Sequence, residues 1–145
     1  LMEMLFQNVT GHELDGTDIH VISVSGTSFK RYLDLAKLLN SKTAVIRDND
    51  GDFQKICVDN YKEYVSDALK VFLEGDNKQN TFDICMYETN KTPCNDQFTN
   101  GYIKLSPQDY MLRNKAEAAF RLLDNKSEEL VAPEYIRNAI EWISE

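Results

Sequence analysis

Residues 43–52 read TAVIRDNDGD, a short apolar run that ends in an acidic turn. The β-branched residues of the first half predict a buried strand of the kind found in parallel sheets. Three carboxylates follow this strand at alternate positions, Asp48, Asp50 and Asp52. Because ligands of open parallel sheets bind beyond the carboxyl ends of the strands, these side chains mark the expected site.

The elements around this stretch predict an α/β fold. The run at 19–24 (IHVISV) predicts a strand, which leads through small capping residues at 25–28 into a helix that begins at Phe29. One face of that helix is apolar and consists of Phe29, Tyr32, Leu33, Ala36 and Leu39. A second amphipathic helix is predicted over 61–73 and a third strand over 82–86. Strands that alternate with helices through short connections favour a parallel sheet.

The remaining segments predict more helices and one long loop. Residues 88–105 lack any period and contain Asn, Thr, Pro and Gly, so we expect a loop there. Ser106 and Pro107 are typical of a helix N-cap and first helical position, and Pro133 opens a last helix. The predicted inner face of that helix consists of Ile136, Ala139, Ile140 and Ile143. An apolar stripe at the start of the chain indicates the end of another helix, through Met2, Leu5, Phe6 and Val9.

Composition narrows the class of protein. The chain has 145 residues, 42% of them apolar and 28% charged, which predicts one globular domain. The longest apolar runs fall far short of the roughly 20 residues that span a bilayer. Three cysteines without a CxxC pair, and no visible secretory signal, predict a reduced, cytoplasmic setting. Because the chain begins with Leu1, we expect it to be a fragment of a longer protein.

The net charge of −8 argues against a basic surface that binds nucleic acid by itself. A protein of this charge that acts on DNA needs another source of positive charge, and bound divalent cations are one. The spacing of Asp48 and Asp50 suits such an ion, because residues i and i+2 of an extended segment point the same way and Mg²⁺ prefers oxygen ligands. Asp52 either joins them or faces solvent.

Three other interpretations of the acidic residues stay open. The turn can be a solvated acidic loop without a ligand. It can belong to a phosphatase of the haloacid-dehalogenase type, with Asp48 as nucleophile and Asp50 as acid/base. It can also belong to a non-catalytic interaction module, whose acidic surface docks onto another domain or forms a homodimer.

Lys115 is a second candidate site residue. Projected at about 100° per residue, residues 110–123 form one helix with Lys115 in the middle of its apolar stripe. That stripe consists of Met111, Leu112, Ala118, Ala119, Leu122 and Leu123. Such a lysine either extends its ammonium to the rim of the core or directs it into a partly desolvated site. In the second case it stabilises charge that develops on a phosphate in a transition state.

Five stretches together resemble a known family: VSGTSF at 24–29, YLDLAK at 32–37, AVIRDND at 44–50, YMLRNKAEAA at 110–119 and PEYIRNAIEWI at 133–143. In order and spacing they are similar to the Toprim nuclease domain of the OLD (overcoming lysogenisation defect) family of ATP-dependent endonucleases. The resemblance covers nearly the whole chain, so residues 1–145 are expected to form one Toprim-type domain.

The resemblance implies a four-stranded parallel Toprim sheet, a two-metal Mg²⁺ or Mn²⁺ site at the Asp48-x-Asp50 pair, and Lys115 as the catalytic lysine. It also implies DNA as the substrate, phage defence as the role, and an N-terminal ABC-type ATPase in the same protein. ATP would then act only through that other domain.

Two family positions are not matched. The metal-binding Glu at the end of the family's first strand is expected to lie upstream of Leu1. The family also carries an acidic residue, often within a Thr-x-Glu, which we expect between Glu88 and Phe98. Only Thr92 matches there, and Glu88 and Asp96 remain alternatives for the acid. We therefore expect the isolated chain to bind metal weakly and to cleave poorly or not at all.

Overall fold

The computed structural model describes residues 1–25 and 29–145, apart from the side chain of Cys57. The predicted capping residues at 26–28 lie outside the described residues. The helices are α1 (Met2–Thr10), α2 (Phe29–Leu39), α3 (Phe82–Thr89), α4 (Lys91–Phe98), α5 (Pro107–Arg113), α6 (Lys115–Lys126) and α7 (Glu134–Ser144). The strands are β1 (Thr43–Ile46) and β2 (Leu69–Phe72), and a π-helical segment spans Gln54–Asp59.

The two strands form a parallel sheet. Thr43 lies opposite Leu69, and Ile46 lies opposite Phe72. Backbone hydrogen bonds continue the ladder at both ends, because the Thr43 N–H donates to Ala68 and the Arg47 N–H donates to Phe72. The chain is therefore a mixed α/β fold with a small parallel sheet and flanking helices, consistent with a Toprim-like fold.

The sheet separates two apolar cores. Its strands contact α7, which in turn packs against α1. The larger core joins these helices to α3–α6, and Met86, Cys94, Phe98, Leu122 and Ile136 are among its most buried members. The smaller core lies under α2 and is formed by Leu33, Tyr61 and Leu69, with Phe29, Ala36, Val45, Tyr64 and Val71 packed around them.

Four predicted helices are confirmed. α1, α2 and α7 occur where their apolar stripes predict them, and Ser106 caps α5 by accepting a hydrogen bond from the Asp109 N–H. The inner face of α7 is confirmed through Ile136, Ala139 and Ile140, which are buried. The face predicted for α2 is confirmed only in part, because Tyr32 and Leu39 are exposed.

The helix predicted over 61–73 is wrong. Residues 61–64 form turns, and Leu69–Phe72 form β2. The periodic apolar positions serve a strand instead, because β2 satisfies the backbone groups of β1 and buries Leu69 against Leu33. Pairing between distant segments outweighed the local helical pattern.

The strand predicted over 82–86 is also wrong, since these residues begin helix α3. Thr81 is its N-cap, and its hydroxyl accepts a hydrogen bond from the Ile84 N–H at 3.4 Å. The strand predicted over 19–24 is not observed either, and Val21 and Ile22 are largely exposed. The described residues thus contain two strands in place of the four that the resemblance implies.

The loop predicted over 88–105 contains helix α4. Asn90 lies at the junction of α3 and α4 and is 3% exposed. Its side-chain amide donates to the carbonyls of Met86 and Val131 at 3.0 and 2.9 Å, and its oxygen accepts from the Val131 N–H at 2.7 Å. These bonds tie the junction to the segment before α7, an arrangement that local periodicity does not report.

Candidate functional site

The acidic turn follows β1 and is tightly bent. The Asp52 N–H donates to the Asn49 carbonyl at 2.9 Å. Asp50 and Gly51 both have positive φ angles, 50° and 82°, so the backbone is left-handed at two successive residues. The extended geometry assumed for Asp48 and Asp50 therefore ends at Asn49, and alternate residues no longer share a side of the chain.

Asn49 anchors this turn to the neighbouring segment. It is fully buried, and its amide donates to the carbonyls of Glu74 and Asp76 at 2.7 and 3.1 Å. Its oxygen accepts from the Gly51 N–H at 2.9 Å. The middle residue of the acidic pattern is thus structural, and its three hydrogen bonds hold the carboxylates on either side.

Asn49→Ala is expected to destabilise the chain by about 2–4 kcal/mol, because buried polar groups left without partners cost about 1–3 kcal/mol each. Chemical denaturation measures the change. The matched control is Asn95→Ala on the exposed side of α4, where a change within about 0.5 kcal/mol is expected. Equal effects of the two variants would contradict the anchoring role.

Asp48 lies at the N-terminus of α3. Its carboxylate is half-buried, and the Phe82 backbone N–H lies close enough to lower its pKa. Burial is the main cause that raises the pKa of Asp48 above 3.8; the negative charges of Asp50 and Asp83 add to the rise, whereas the Phe82 N–H and the Lys115 ammonium oppose it. Asp48 therefore shares one electrostatic environment with two other carboxylates and a lysine.

Lys115 contacts this group through Asp83. The Lys115 Nζ lies 2.9 Å from Asp83 Oδ2, and the Asp83 side chain is only 14% exposed. The pKa of Lys115 is raised by the hydrogen bond with Asp83 and by the Asp83 and Asp48 charges. The structure thus brings Lys115, Asp83 and Asp48 together, although they belong to α6, α3 and the end of β1.

The prediction that Lys115 occupies the middle of an apolar stripe is wrong. Its side chain is 59% exposed. The projection assumed one helix over 110–123, but the chain breaks at Asn114, which ends α5 and is the N-cap of α6. Lys115 is therefore the first residue of a new helix, and the break changes the direction in which it points.

The other acidic candidates have different partners. Asp50 is exposed and forms an ion pair with Arg47 at 3.7 Å. Asp52 Oδ1 accepts a hydrogen bond from the Lys55 N–H at 3.2 Å and so caps the π-helical segment. Glu88 pairs with Lys91 at 2.8 Å, and Asp96 lies 3.8 Å from Lys126.

Asp83 is the site residue that sequence reasoning missed. It was assigned to a strand, where its neighbours were not apparent. The sequence does contain a related pattern, because Thr81-Phe82-Asp83 places a threonine two residues before an acid, as in the Thr-x-Glu expected between Glu88 and Phe98, with Asp in place of Glu. A threonine two residues before an acid also suits a helix N-terminus, where Thr81 caps the helix and Asp83 lies in the first turn.

The base of the site is apolar and holds neutral groups. Burial raises the pKa of Cys85 to about 11, and the charges of Glu74 and Asp48 add to this effect. Burial likewise raises the pKa of Tyr135. The Cys85 thiol donates to the Gln79 carbonyl at 3.3 Å. Burial therefore favours the protonated form of the Cys85 thiol.

The donor chemistry of the site fits a divalent metal in part. Within the described residues, no group of three or more His, Cys, Asp or Glu side chains is placed to hold a metal ion. Mg²⁺ does not require such a group, because it is commonly held by one or two carboxylates and retains several waters. Asp48 and Asp83 supply two carboxylates, and a cation, the Lys115 ammonium, already lies against Asp83 and lowers the pKa of Asp48 by its charge.

Comparison with protein-family models gives a match over the N-terminal third of the chain. Residues 1–50, which contain α1, α2, β1, Asp48 and Asp50, match the family model described as "Overcoming lysogenization defect protein-like, TOPRIM domain". The chain matches no curated protein and no solved structure. In the described parts of the chain, 1–25 and 29–145, no helix is both long and apolar enough to cross a bilayer. TOPRIM domains bind divalent metals and typically act as nuclease or primase domains. Residues 1–50 are therefore similar to the OLD-like TOPRIM domain.

Proposed function

We propose that this chain is a metal-dependent endonuclease domain that hydrolyses phosphodiester bonds in DNA. The observation that supports it best is the Lys115–Asp83 ion pair beside Asp48, at the carboxyl end of β1. In agreement with the family resemblance, we further propose that the domain works in a longer protein behind an N-terminal ABC-type ATPase, in the cytoplasm and against phage DNA.

We propose Asp48 and Asp83 as the main ligands of Mg²⁺ or Mn²⁺. The two carboxylates are neighbours, and Asp48 is partly desolvated. Such oxygen ligands favour a hard cation. Asp50 lies near enough to raise the pKa of Asp48 and contributes through a bound water or its field. Asp52 is left out, because its carboxylate caps the π-helical segment.

A metal ion held by Asp48 and Asp83 would supply Lewis-acid activation of water and stabilisation of the leaving oxygen. Lys115 adds a fixed positive charge on the open side of the site, where its exposed ammonium can reach a non-bridging oxygen of the scissile phosphate. Asp83 orients that ammonium before substrate binds, and Asn49 holds the backbone that carries Asp48.

Two carboxylates are few for tight metal binding, so we expect weak affinity in the isolated chain. A calorimetric titration of the chain with Mn²⁺ tests the assignment of Asp48 and Asp83 as ligands. Asp48→Asn and Asp83→Asn are each expected to lower the affinity at least about tenfold, since each removes an inner ligand. Asp52→Asn and Asp96→Asn are matched controls that remove the same charge elsewhere, and changes below twofold are expected for both.

Two results would refute the assignment. The acidic turn alone would be the metal site if Asp52→Asn abolished binding while Asp83→Asn had no effect. A normal rate of plasmid cleavage by the isolated chain would show that no family ligand is missing. Loss of nicking by the longer protein on Asp48→Ala or Asp83→Ala, with ATP hydrolysis retained, is the expected outcome.

The alternatives predict other products. A phosphatase with Asp48 as nucleophile and Asp50 as acid/base would form a phosphoaspartate at Asp48, which mass spectrometry after trapping would detect. An interaction module would form a metal-independent homodimer, and Asp50→Ala would then cause no loss of any activity. Either result would replace the nuclease proposal.

Asp48→Asn is expected to raise the Tm of the chain at pH 7. The pKa of Asp48 lies above 3.8 in the folded state, so folding favours the protonated carboxyl, and stability is lost as the pH rises from 3.8 through the folded pKa. Asparagine does not ionise, so the variant does not lose this stability as the pH rises. Thermal scans should therefore show a gain at pH 7 that fades as the pH falls below 3.8, and a variant that is less stable than the wild type at pH 7 would contradict it.

A further inference from the structure

Trp142, the single tryptophan of the chain, carries two lysines on its ring. Lys42 Nζ lies 4.9 Å and Lys70 Nζ lies 5.0 Å from the ring centroid. Phe72 packs against the same ring at a centroid distance of 5.8 Å. Because the face of an indole attracts cations, these contacts hold two ammonium groups at one place on the surface.

A carboxylate, that of Asp67, lines a hollow beside Lys42 but is not within ion-pair distance of either lysine. In the part of the chain that the structure describes, neither Lys42 nor Lys70 forms an ion pair, whereas Lys91, Lys115 and Lys126 do. Acidic side chains outnumber basic ones by 24 to 16, so two cations held together without an ion pair are notable. Such a pair is available to an anionic ligand.

Lys42 of the pair and Asp48 of the proposed site flank opposite ends of β1, and Lys70 lies on the neighbouring strand β2. Lys42 precedes β1 and Asp48 follows it, and six residues of extended chain span about 20 Å. One strand of duplex DNA carries a phosphate about every 3.4 Å, so a duplex bound at the acidic site extends over this distance. Beside Lys42 lies a shallow hollow, lined also by Asn40, Ser66, Asp67 and Ala68.

We propose that Lys42 and Lys70, held on Trp142, form a docking site for the phosphate backbone of the DNA that the acidic site cleaves. This inference rests on the proposed nuclease function. The ligand is recognised through its phosphates, because an ammonium group is a compact point charge that pairs with phosphate oxygens. Asp67, which lines the adjacent hollow, carries a negative charge that repels the phosphates of the same ligand.

Binding without cleavage tests the docking site. The chain is titrated against a short fluorescein-labelled DNA duplex in EDTA, and anisotropy is recorded over a range of salt concentrations. The double variant Lys42→Gln/Lys70→Gln is expected to bind about tenfold or more weakly at 0.1 M salt. The slope of log K against log salt should fall by about two, one for each lost contact. The intrinsic fluorescence of Trp142 should change on binding, and Asp67→Asn should bind more tightly.

The matched control is Lys62→Gln/Lys104→Gln, which makes the same change of charge at two other exposed lysines. An equal loss of affinity and slope in both double variants would overturn the proposal, as would the absence of DNA binding or of any change in Trp142 fluorescence. The nuclease proposal fails separately. If the longer protein cleaves DNA but the salt slope of the double variant equals that of the wild type, only the docking site is wrong. If the salt slope falls as expected but the longer protein does not cleave DNA, the nuclease assignment is wrong.

Discussion

Lys115→Ala is expected to lower the rate of metal-dependent plasmid nicking by about 10²–10³-fold, the usual effect of removing one preorganised charge from a transition state. The same change is expected to tighten Mn²⁺ binding by the chain. The reason is that the Lys115 ammonium lies 2.9 Å from Asp83 and competes with the metal for that carboxylate. Affinity and rate should therefore move in opposite directions.

Single-turnover cleavage by the longer protein and calorimetry on the chain measure the two effects. Lys126→Ala is the matched control, because Lys126 also lies near aspartate and glutamate side chains but belongs to the other end of α6. It should leave the rate and the affinity within about twofold of the wild type. A parallel loss of both quantities in Lys115→Ala would indicate that Lys115 only maintains the fold around Asp83.

Phe98→Ala is expected to destabilise the chain by about 3–5 kcal/mol, the usual cost of removing a buried aromatic ring. Phe98 is 0% exposed at the end of α4, and its ring packs against Tyr110 with centroids 5.1 Å apart. The truncation leaves a cavity between α4 and α5. Denaturant unfolding measures the loss.

Phe120→Ala makes the same chemical change on α6, where the side chain is 67% exposed. Its expected effect is within about 0.5 kcal/mol. If Phe98→Ala were equally mild, α4 would be a mobile surface segment, as the sequence prediction of a loop over 88–105 implied. The pair of variants therefore tests the largest revision that the structure makes to the C-terminal half.

Several elements could be predicted because their information lies within a few residues. The apolar stripe of α7 and the Ser106-Pro107 start of α5 are local patterns, and both are confirmed. β1 is also confirmed, since a β-branched run followed by an acidic turn is a local signal. The match of residues 1–50 to the OLD-like TOPRIM domain agrees with the resemblance at 24–29, 32–37 and 44–50, whereas the stretches at 110–119 and 133–143 lie outside the match.

Other elements could not be predicted from local pattern. The segments at 69–72 and 82–86 are both short apolar runs, and a short apolar run suits a strand or a helix equally. Their partners decide between the two. Leu69–Phe72 became a strand because β1 offers an unpaired edge, and Phe82–Thr89 became a helix because Thr81 caps it.

The sequence by itself determined which residue types are available for chemistry here: the aspartates that follow β1 and the lysine at 115. Only the tertiary structure decided that Asp83 joins Asp48, that Asp52 is a cap, and that Lys115 begins a helix with its ammonium toward Asp83. The physical reason is the separation along the chain over which each kind of interaction acts. Capping and periodicity act within a turn or two of the chain, whereas an ion pair between α3 and α6 forms only after both helices have packed on the common core.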